Sequence, residues 1–459
     1  MTFKEYISNL RGKRVAVVGA GISNTPLIET LLLAGVSTLV CDKRSHDELG
    51  EIAGRFKDLG AGFCLGEHYL DKIDAEVIFR TPGLMPSHPA FLEAVRRGAV
   101  LTSEMEAFFE VCPCKTIGVT GSDGKTTTTS IIAELLVNEG QTAHLGGNIG
   151  TPLLCKADGM DYDDVAVVEL SSFQLITMKK SPDISIITNL APNHIDIHND
   201  MDEYVEAKRN IFIWQRSTDT AVFNLDNEYT HDYAETAPGR VKYFSRRERV
   251  RDGVYLDNGK IYLATDGSIE LIMPADEILL PGVHNIENFM AAFAAVQGLV
   301  GRDAMLETAR TFRGVPHRIE LVRELRGVRY YNDSIASSPT RTIAGLRAFD
   351  RKVILIAGGK DKGLSFNELG REAVSKVKRL VLTGLTAEAI RSAVINSPDY
   401  SGEPEILLRD DFTEAVITAA KSAQDGDVVL LSPACTSFDK FKNFEERGDL
   451  FKKIVKGLE

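Results

Sequence analysis

The sequence predicts an α/β protein of three domains, and three observations lead there. Short continuous apolar runs, such as Val165-Ala-Val-Val168 and Val353-Ile-Leu-Ile-Ala357, recur along the chain and run into polar or glycine-rich ends, as strands buried on both faces of a parallel sheet do. Amphipathic stretches with helical spacing separate them, so strand and helix alternate. At 459 residues, with 44% hydrophobic and 26% charged positions, the chain has an ordinary globular composition and is too long for one core.

The first domain, residues 1–102, opens with an apolar strand, Arg14–Val18, that runs into Gly19-x-Gly21. A helix follows with Leu27, Ile28, Leu31 and Leu32 on one face, and the next strand, Ser37–Asp42, ends in an acid. This is a Rossmann-like pattern, except that Asn24 stands where a third glycine belongs. Gly-x-Gly suits any phosphate-bearing ligand, a nicotinamide dinucleotide included, and Lys43-Arg44 after the acid suits a diphosphate or the edge of a uridine ring. The strand from Glu76 ends in Thr81-Pro82-Gly83, at a strand carboxyl end where ligands bind in open α/β sheets.

The second domain, residues 103–314, is a P-loop-type ATPase domain. Its strand from Thr116 runs into Gly121-Ser122-Asp123-Gly124-Lys125-Thr126-Thr127 and then a helix to about Asn138. The glycines let the backbone turn with its N–H groups inward, the helix start offers the positive end of its dipole, and Lys125 adds an ammonium. Such a turn holds polyphosphate, and the Thr126 hydroxyl can ligate the magnesium that accompanies a triphosphate. The first glycine of the strict eight-residue pattern would fall on Val119, so this is the shorter form; a purely structural turn is the bland alternative. Glu169 ends an apolar strand where an acid can hold magnesium, and Ser171-Ser172 follow with further oxygens. His194 and His198 have the spacing of a helical zinc pair, but Pro192 favours an irregular loop and leaves one histidine near magnesium as the better reading. Lys208 reads, from spacing alone, as a surface lysine on a helix. Asp252-Gly253, Asn258-Gly259 and Asp266-Gly267 predict hairpins in a small antiparallel subsidiary sheet, after which a helix from Asn285 closes the domain.

The third domain, residues 315–459, is Rossmann-like again, with strands at 328–332, 353–359, 380–384, 405–408 and 428–432 and helices between. A net charge of −12 argues against a nucleic-acid or membrane-surface protein, and the cluster Arg246-Arg247-Glu-Arg249-Val-Arg251 is broken by Glu248. No apolar run approaches the ~18 residues of a membrane span, and the first residues lack a signal-peptide profile, so a cytoplasmic protein is expected. The six cysteines are scattered, and Cys112-Pro-Cys114 lacks zinc-site partners, so free thiols are expected.

Together these motifs resemble the Mur ligases, ATP-dependent enzymes that add amino acids to the peptide of the bacterial cell-wall precursor, over essentially the whole chain. The resemblance implies catalysis by Lys125, Glu169, His194 and Lys208. It implies two magnesium ions, with Thr126 and Glu169 on one and His194 on the second, and a carbamylated Lys208 as an anionic ligand. Asp123 departs from the family's more usual asparagine. Asn285, Asn288, Arg318 and Asp333 match positions around ATP. Ile22, Ser23, Lys43, Arg44, Thr81 and Gly83 match positions around a uridine nucleotide, with Asn148 and Ser171 near its muramoyl part. The segment Ser432–Gly448 is similar to that of the member whose acceptor is D-glutamate, and Asp-Asn-Pro-Arg, typical of the diaminopimelate-adding member, is absent. That implies Ser337, Lys362, Ser437 and Phe444 around D-glutamate, and UDP-N-acetylmuramoyl-L-alanine as co-substrate. Ile335 stands where the family has a lysine. A monomer is expected, with no nucleic-acid or membrane partner. The rival readings are a ligase with another amino-acid or folate acceptor, a dehydrogenase with nicotinamide in the first domain, and an ATP-driven switch.

Overall fold

The computed structural model describes residues 1–71, 73–191, 201–361 and 363–459. It is a mixed α/β structure built on three sheets. The first has β1 (Arg14–Val18), β2 (Ser37–Asp42), β3 (Gly62–Leu65), β4 (Val77–Phe79) and β5 (Val100–Thr102) in the order β3-β2-β1-β4-β5, all parallel. Leu27, Ile28, Leu31 and Leu32 are buried, as the helical spacing predicts.

The second sheet contains β6 (Lys115–Thr120), β7 (Ala143–Gly147), β8 (Val165–Glu169), β9 (Ile184–Ile187), β10 (Thr220–Asn224) and β11 (Arg240–Ser245). It continues through β12 (Gly253–Asp257), β13 (Lys260–Thr265) and β14 (Ser268–Pro274). Its order is β14-β13-β12-β11-β10-β9-β6-β8-β7. The chain leaves β6 toward one edge, returns through β8 and then crosses to β9, so the carboxyl ends of β6, β8 and β9 share a topological switch point. The expected subsidiary sheet is corrected here: β10 to β14 extend the central sheet rather than forming a separate one. Asn258-Gly259 and Asp266-Gly267 do turn antiparallel hairpins, with all four residues at positive φ. Asp252-Gly253 does not, because Gly253 begins a strand that pairs parallel with β11. The dipeptide signal is the same in all three cases; only the pairing partner differs.

The third sheet is β15 (Glu320–Leu325), β16 (Val328–Asn332), β17 (Val353–Ala357), β18 (Val377–Leu382), β19 (Glu405–Leu408) and β20 (Val428–Leu431), ordered β15-β16-β20-β17-β18-β19. Only β15, which the sequence pattern missed, runs antiparallel to its neighbour.

The chain divides into two compact units, residues 1–275 with 287–308, and residues 276–286 with 309–459. Within the first unit, one apolar core runs from Val15, Val17 and Leu27 through Phe108 and Leu154 to Val168 and Phe223. Ser103 caps the helix Glu104–Val111, whose Phe108 lies in that shared core. Truncating a side chain such as Phe108 to Ala there would cost roughly 3–5 kcal/mol. All six cysteines are free thiols.

Candidate active site

The phosphate-type turn sits at the end of β6. Gly121 and Gly124 have φ of +149° and +79°, and a Cβ on either would run into the Thr188 hydroxyl or the Asn288 side chain. Glycine is thus required by backbone angle and by space together. Gly124 caps the helix Lys125–Asn138, so the first free N–H groups of that helix open onto the turn. Ser122 Oγ donates to the Ala191 carbonyl at 2.9 Å and meets the Tyr204 hydroxyl at 3.0 Å, and the Asp123 N–H donates to Asn189 at 3.0 Å. Thr188, Asn189 and Tyr204 thus brace the loop from behind, a support the sequence reading did not identify.

Two lysines converge on this turn. Lys125 Nζ donates to the carbonyls of Gly121 and Ser122, both at 2.9 Å. Lys208 Nζ donates to the same Gly121 carbonyl at 3.0 Å and to Thr120 Oγ1 at 3.1 Å, and lies 4.7 Å from the centroid of the Tyr204 ring. The surface reading of Lys208 is therefore corrected: the residue is 1% exposed. The helix Met201–Arg209 turns Tyr204, Val205, Ala207 and Lys208 inward. The four-residue step from Tyr204 to Lys208 was the signal that could have shown this. Burial, and then the neighbouring Lys125 charge, hold the Lys208 pKa well below that of an ordinary lysine, against a smaller opposing pull from Glu169.

Glu169 ends β8, in register with Val119 of β6 and Gly147 of β7, and is 1% exposed. Asn148 Nδ2 donates to its Oε1 at 2.8 Å, while Oε2 is buried and has no hydrogen-bond partner among the described residues. A buried carboxylate oxygen left open at the end of the strand that pairs with β6 fits a hard divalent cation such as magnesium. Ser171 Oγ caps the short helix Ser172–Leu175 and bonds Gln174 in a capping box. Thr127 is buried in the first turn of the phosphate helix, and Asn288 accepts from Thr128 Oγ1 at 3.3 Å beside Gly124. His194 lies outside the described residues.

At the carboxyl ends of the first sheet, Asp42 accepts the Ala20 N–H at 2.7 Å, together with the backbone and guanidinium of Arg44. The acid that ends β2 is thus engaged within the protein, and Arg44 is turned onto it, leaving Lys43 exposed. Asn24 Nδ2 donates to the carbonyls of Val18 and Gly19, stitching the loop where a third glycine would have permitted close packing. Ile22 and Ser23 are exposed on that loop, with Thr81 half-buried and Gly83 exposed on the neighbouring turn.

In the second unit, Asp333 is buried and accepts from Ser432 Oγ at 2.7 Å and from the Ile319 N–H at 3.3 Å. Burial raises its pKa to about 7 against those hydrogen bonds. Arg318 is half-buried, and its charge acts on Asp333. Asn285 donates to the Pro281 carbonyl at 2.6 Å. The Lys360 backbone pairs with Thr436, which joins the loop before Gly363 to the Ser432–Ser437 segment. Ser437 is buried, and the Phe444 carbonyl accepts from Ser334 Oγ at 2.8 Å. Ser337 is half-buried, two residues beyond Ile335. Lys362 lies outside the described residues. The sequence reading missed Arg447, which is 2% exposed and donates to Ser334 and to the Cys435 carbonyl. Burial lowers its pKa to about 10.

Comparison with known proteins identifies the family. Residues 119–296 match the Mur ligase middle domain, and residues 317–435 match the Mur ligase, glutamate ligase domain. The UDP-N-acetylmuramoylalanine--D-glutamate ligase of Clostridium novyi (strain NT) is 48% identical, over 100% of this chain and 99% of its own length. That of Acetivibrio thermocellus is 49% identical over 100% and 98%. Among solved structures, the UDP-N-acetylmuramate-alanine ligase of Thermotoga maritima matches at a TM-score of 0.55 and 18% identity, covering 97% of this chain and 99% of that one. The MurF ligase of Thermotoga maritima in complex with ADP matches at 0.54 and 18%, covering 98% and 96%. These two support the fold.

Proposed function

The chain belongs to the Mur ligase family, and on that premise we propose that it joins D-glutamate to UDP-N-acetylmuramoyl-L-alanine, with ATP, in peptidoglycan precursor synthesis. The observation that carries this reading is identity of 48–49% along the full chain with relatives bearing that activity in their names.

A free carboxylate does not accept an amine, so its oxygen must first become a leaving group. A carboxylate oxygen of the L-alanine end attacks the γ-phosphorus of ATP, the bond to the bridging oxygen breaks, and ADP leaves an acyl phosphate behind. The D-glutamate amine then attacks the acyl carbon and loses a proton, and inorganic phosphate departs. Lys125 and the N–H groups of residues 121–127 (Gly121, Ser122, Asp123, Gly124, Thr126 and Thr127 with the lysine) would hold the phosphates and stabilise charge in the transfer. Magnesium, when bound, neutralises charge on the phosphate and carboxylate oxygens. Thr126 and the open Glu169 oxygen would hold one ion, and His194 with Lys208 a second. The Lys208 amine is buried and held toward its neutral form, which is the form that adds carbon dioxide, and its carbamate would remove the repulsion between two adjacent ammoniums.

The three sheets suggest a division of labour. Residues 1–102 would hold the uridine nucleotide through Ile22, Ser23, Lys43, Arg44, Thr81 and Gly83. Residues 103–314 would hold ATP, with Asn148 and Ser171 toward the muramoyl group and Asn285 and Asn288 toward adenine. Residues 315–459 would bring Arg318 and Asp333 to the nucleotide and Ser337, Lys362, Ser437 and Phe444 to D-glutamate. Closure would keep water from the acyl phosphate. No helix among the described residues is long and apolar enough to cross a membrane. The reading is of a monomer working in the cytoplasm. An acceptor screen tests it: ADP release should require both the muramoyl nucleotide and D-glutamate. Equal turnover with L-glutamate or D-aspartate, or ADP release without an acceptor, would overturn it.

A further inference from the structure

Strand β4 is followed directly by a charged residue that none of the roles above employs. Arg80 is 1% exposed. Its Nη1 donates to the Leu84 carbonyl at 3.3 Å, and its Nη2 to the Phe173 carbonyl at 2.8 Å and Thr177 Oγ1 at 2.9 Å. Thr177 in turn donates to Glu106 Oε2 at 3.1 Å, an oxygen that also receives Ser103 Oγ at 2.8 Å. Placing a guanidinium out of water costs several kcal/mol unless partners meet it, and an apolar side chain would fill the same space without that cost. What an apolar residue cannot do is hold two separate backbone segments in a planar fork.

The two segments are informative. On one side, the Arg80 N–H is fixed to the Thr102 carbonyl, and the Leu84 N–H closes a turn onto Thr81, so the fork grips the turn Thr81–Leu84. On the other, Phe173 belongs to the short helix that Ser171 caps, two residues beyond Glu169 at the end of β8. We propose that Arg80 is a positioning residue for the ligation. It fixes the turn that receives the uridine nucleotide relative to the segment Glu169–Ser171, so that the far end of the same substrate lies at the phosphate turn. This inference rests on the ligase reading above.

The test compares wild type, Arg80→Lys, Arg80→Met and Thr177→Val, each first checked for folding by circular dichroism. Binding of UDP alone and of the muramoyl nucleotide is measured calorimetrically without ATP or magnesium, alongside ligation kinetics. For Arg80→Met, the muramoyl nucleotide should bind about tenfold or more weakly and kcat should fall by at least about tenfold, while UDP binding and the KM for ATP stay within about twofold. Arg80→Lys should recover part of the loss, and Thr177→Val should show a smaller change in the same direction. If Arg80→Met does not fold, the other two variants decide by the same split. Folded variants with unchanged affinity and kcat, or with all ligands weakened alike, would overturn the proposal and make Arg80 a structural residue only. A wild-type protein that fails to ligate D-glutamate would instead overturn the functional reading, before any variant is compared.

Discussion

The strand ends of the nine-stranded sheet and of the six-stranded sheet solve opposite problems. At the first, charge is concentrated: two lysine nitrogens share the Gly121 carbonyl, and a buried carboxylate beside them keeps one oxygen open. At the second, charge is dispersed: Asp333 accepts from Ser432, and Arg447 donates to Ser334 and Cys435 while its buried Nη1 has no partner among the described residues. On the proposed function, a triphosphate can be gripped by consecutive backbone N–H groups, so its site would be one loop. A small amino acid with two carboxylates needs donors at separate places, so its site would be assembled from segments distant in sequence.

The largest expected effect breaks the concentrated side. Lys125→Ala should lower kcat by about a hundred- to a thousandfold with the fold retained by circular dichroism, because it removes a donor that acts on developing charge. Wild-type turnover would detach the turn from phosphoryl transfer. Lys208→Ala should lose about a hundredfold, and acetate or formate should restore part of it by standing in for the carbamate oxygens. Unchanged activity would return this lysine to a structural role. On the dispersed side the effect should be smaller and one-sided: Lys362→Ala should raise the KM for D-glutamate by about tenfold and leave that for ATP nearly unchanged. Equal rises in both would remove Lys362 from the acceptor site.

The same contrast explains what the sequence could reveal. The phosphate turn was legible because its glycines, lysine and threonine are neighbours whose spacing carries the geometry. Glu169 was legible as the polar end of an apolar run. Lys208 was not, because a charged residue on a mixed helix reads as solvated until Tyr204 and Val205 are seen to face inward with it. The hairpin turns at Asn258 and Asp266 were legible for the same local reason as the phosphate loop. Whether their strands form a separate sheet depends on β10 and β11, which no local pattern fixes. Arg80 and Arg447 were invisible because their partners, Phe173 and Thr177 in one case and Ser334 and Cys435 in the other, come from remote segments.

The smallest expected effect concerns the core joining the first two sheets. Glu104 is buried, accepts the Leu154 N–H at 2.8 Å, and has its pKa raised by burial from 4.5 to about 7. The native state therefore holds this proton more tightly than the unfolded chain, so the contribution to stability is full below about pH 4.5 and is lost as pH rises toward about 7. Glu104→Gln should flatten that decline and raise the melting temperature near pH 8 by about 2–4 °C relative to wild type. An unchanged difference between pH 5 and pH 8 would contradict it.

On the proposed mechanism, the nine-stranded sheet activates a carboxylate by phosphorylation, and D-glutamate then displaces the phosphate. The most direct measurement follows oxygen. With the L-alanine carboxylate of the muramoyl nucleotide labelled with heavy oxygen, one labelled atom should appear in the inorganic phosphate released in each D-glutamate-dependent turnover. Unlabelled phosphate, released at the same rate as product, would show that the carboxylate oxygen never bonded to phosphorus and would contradict the account.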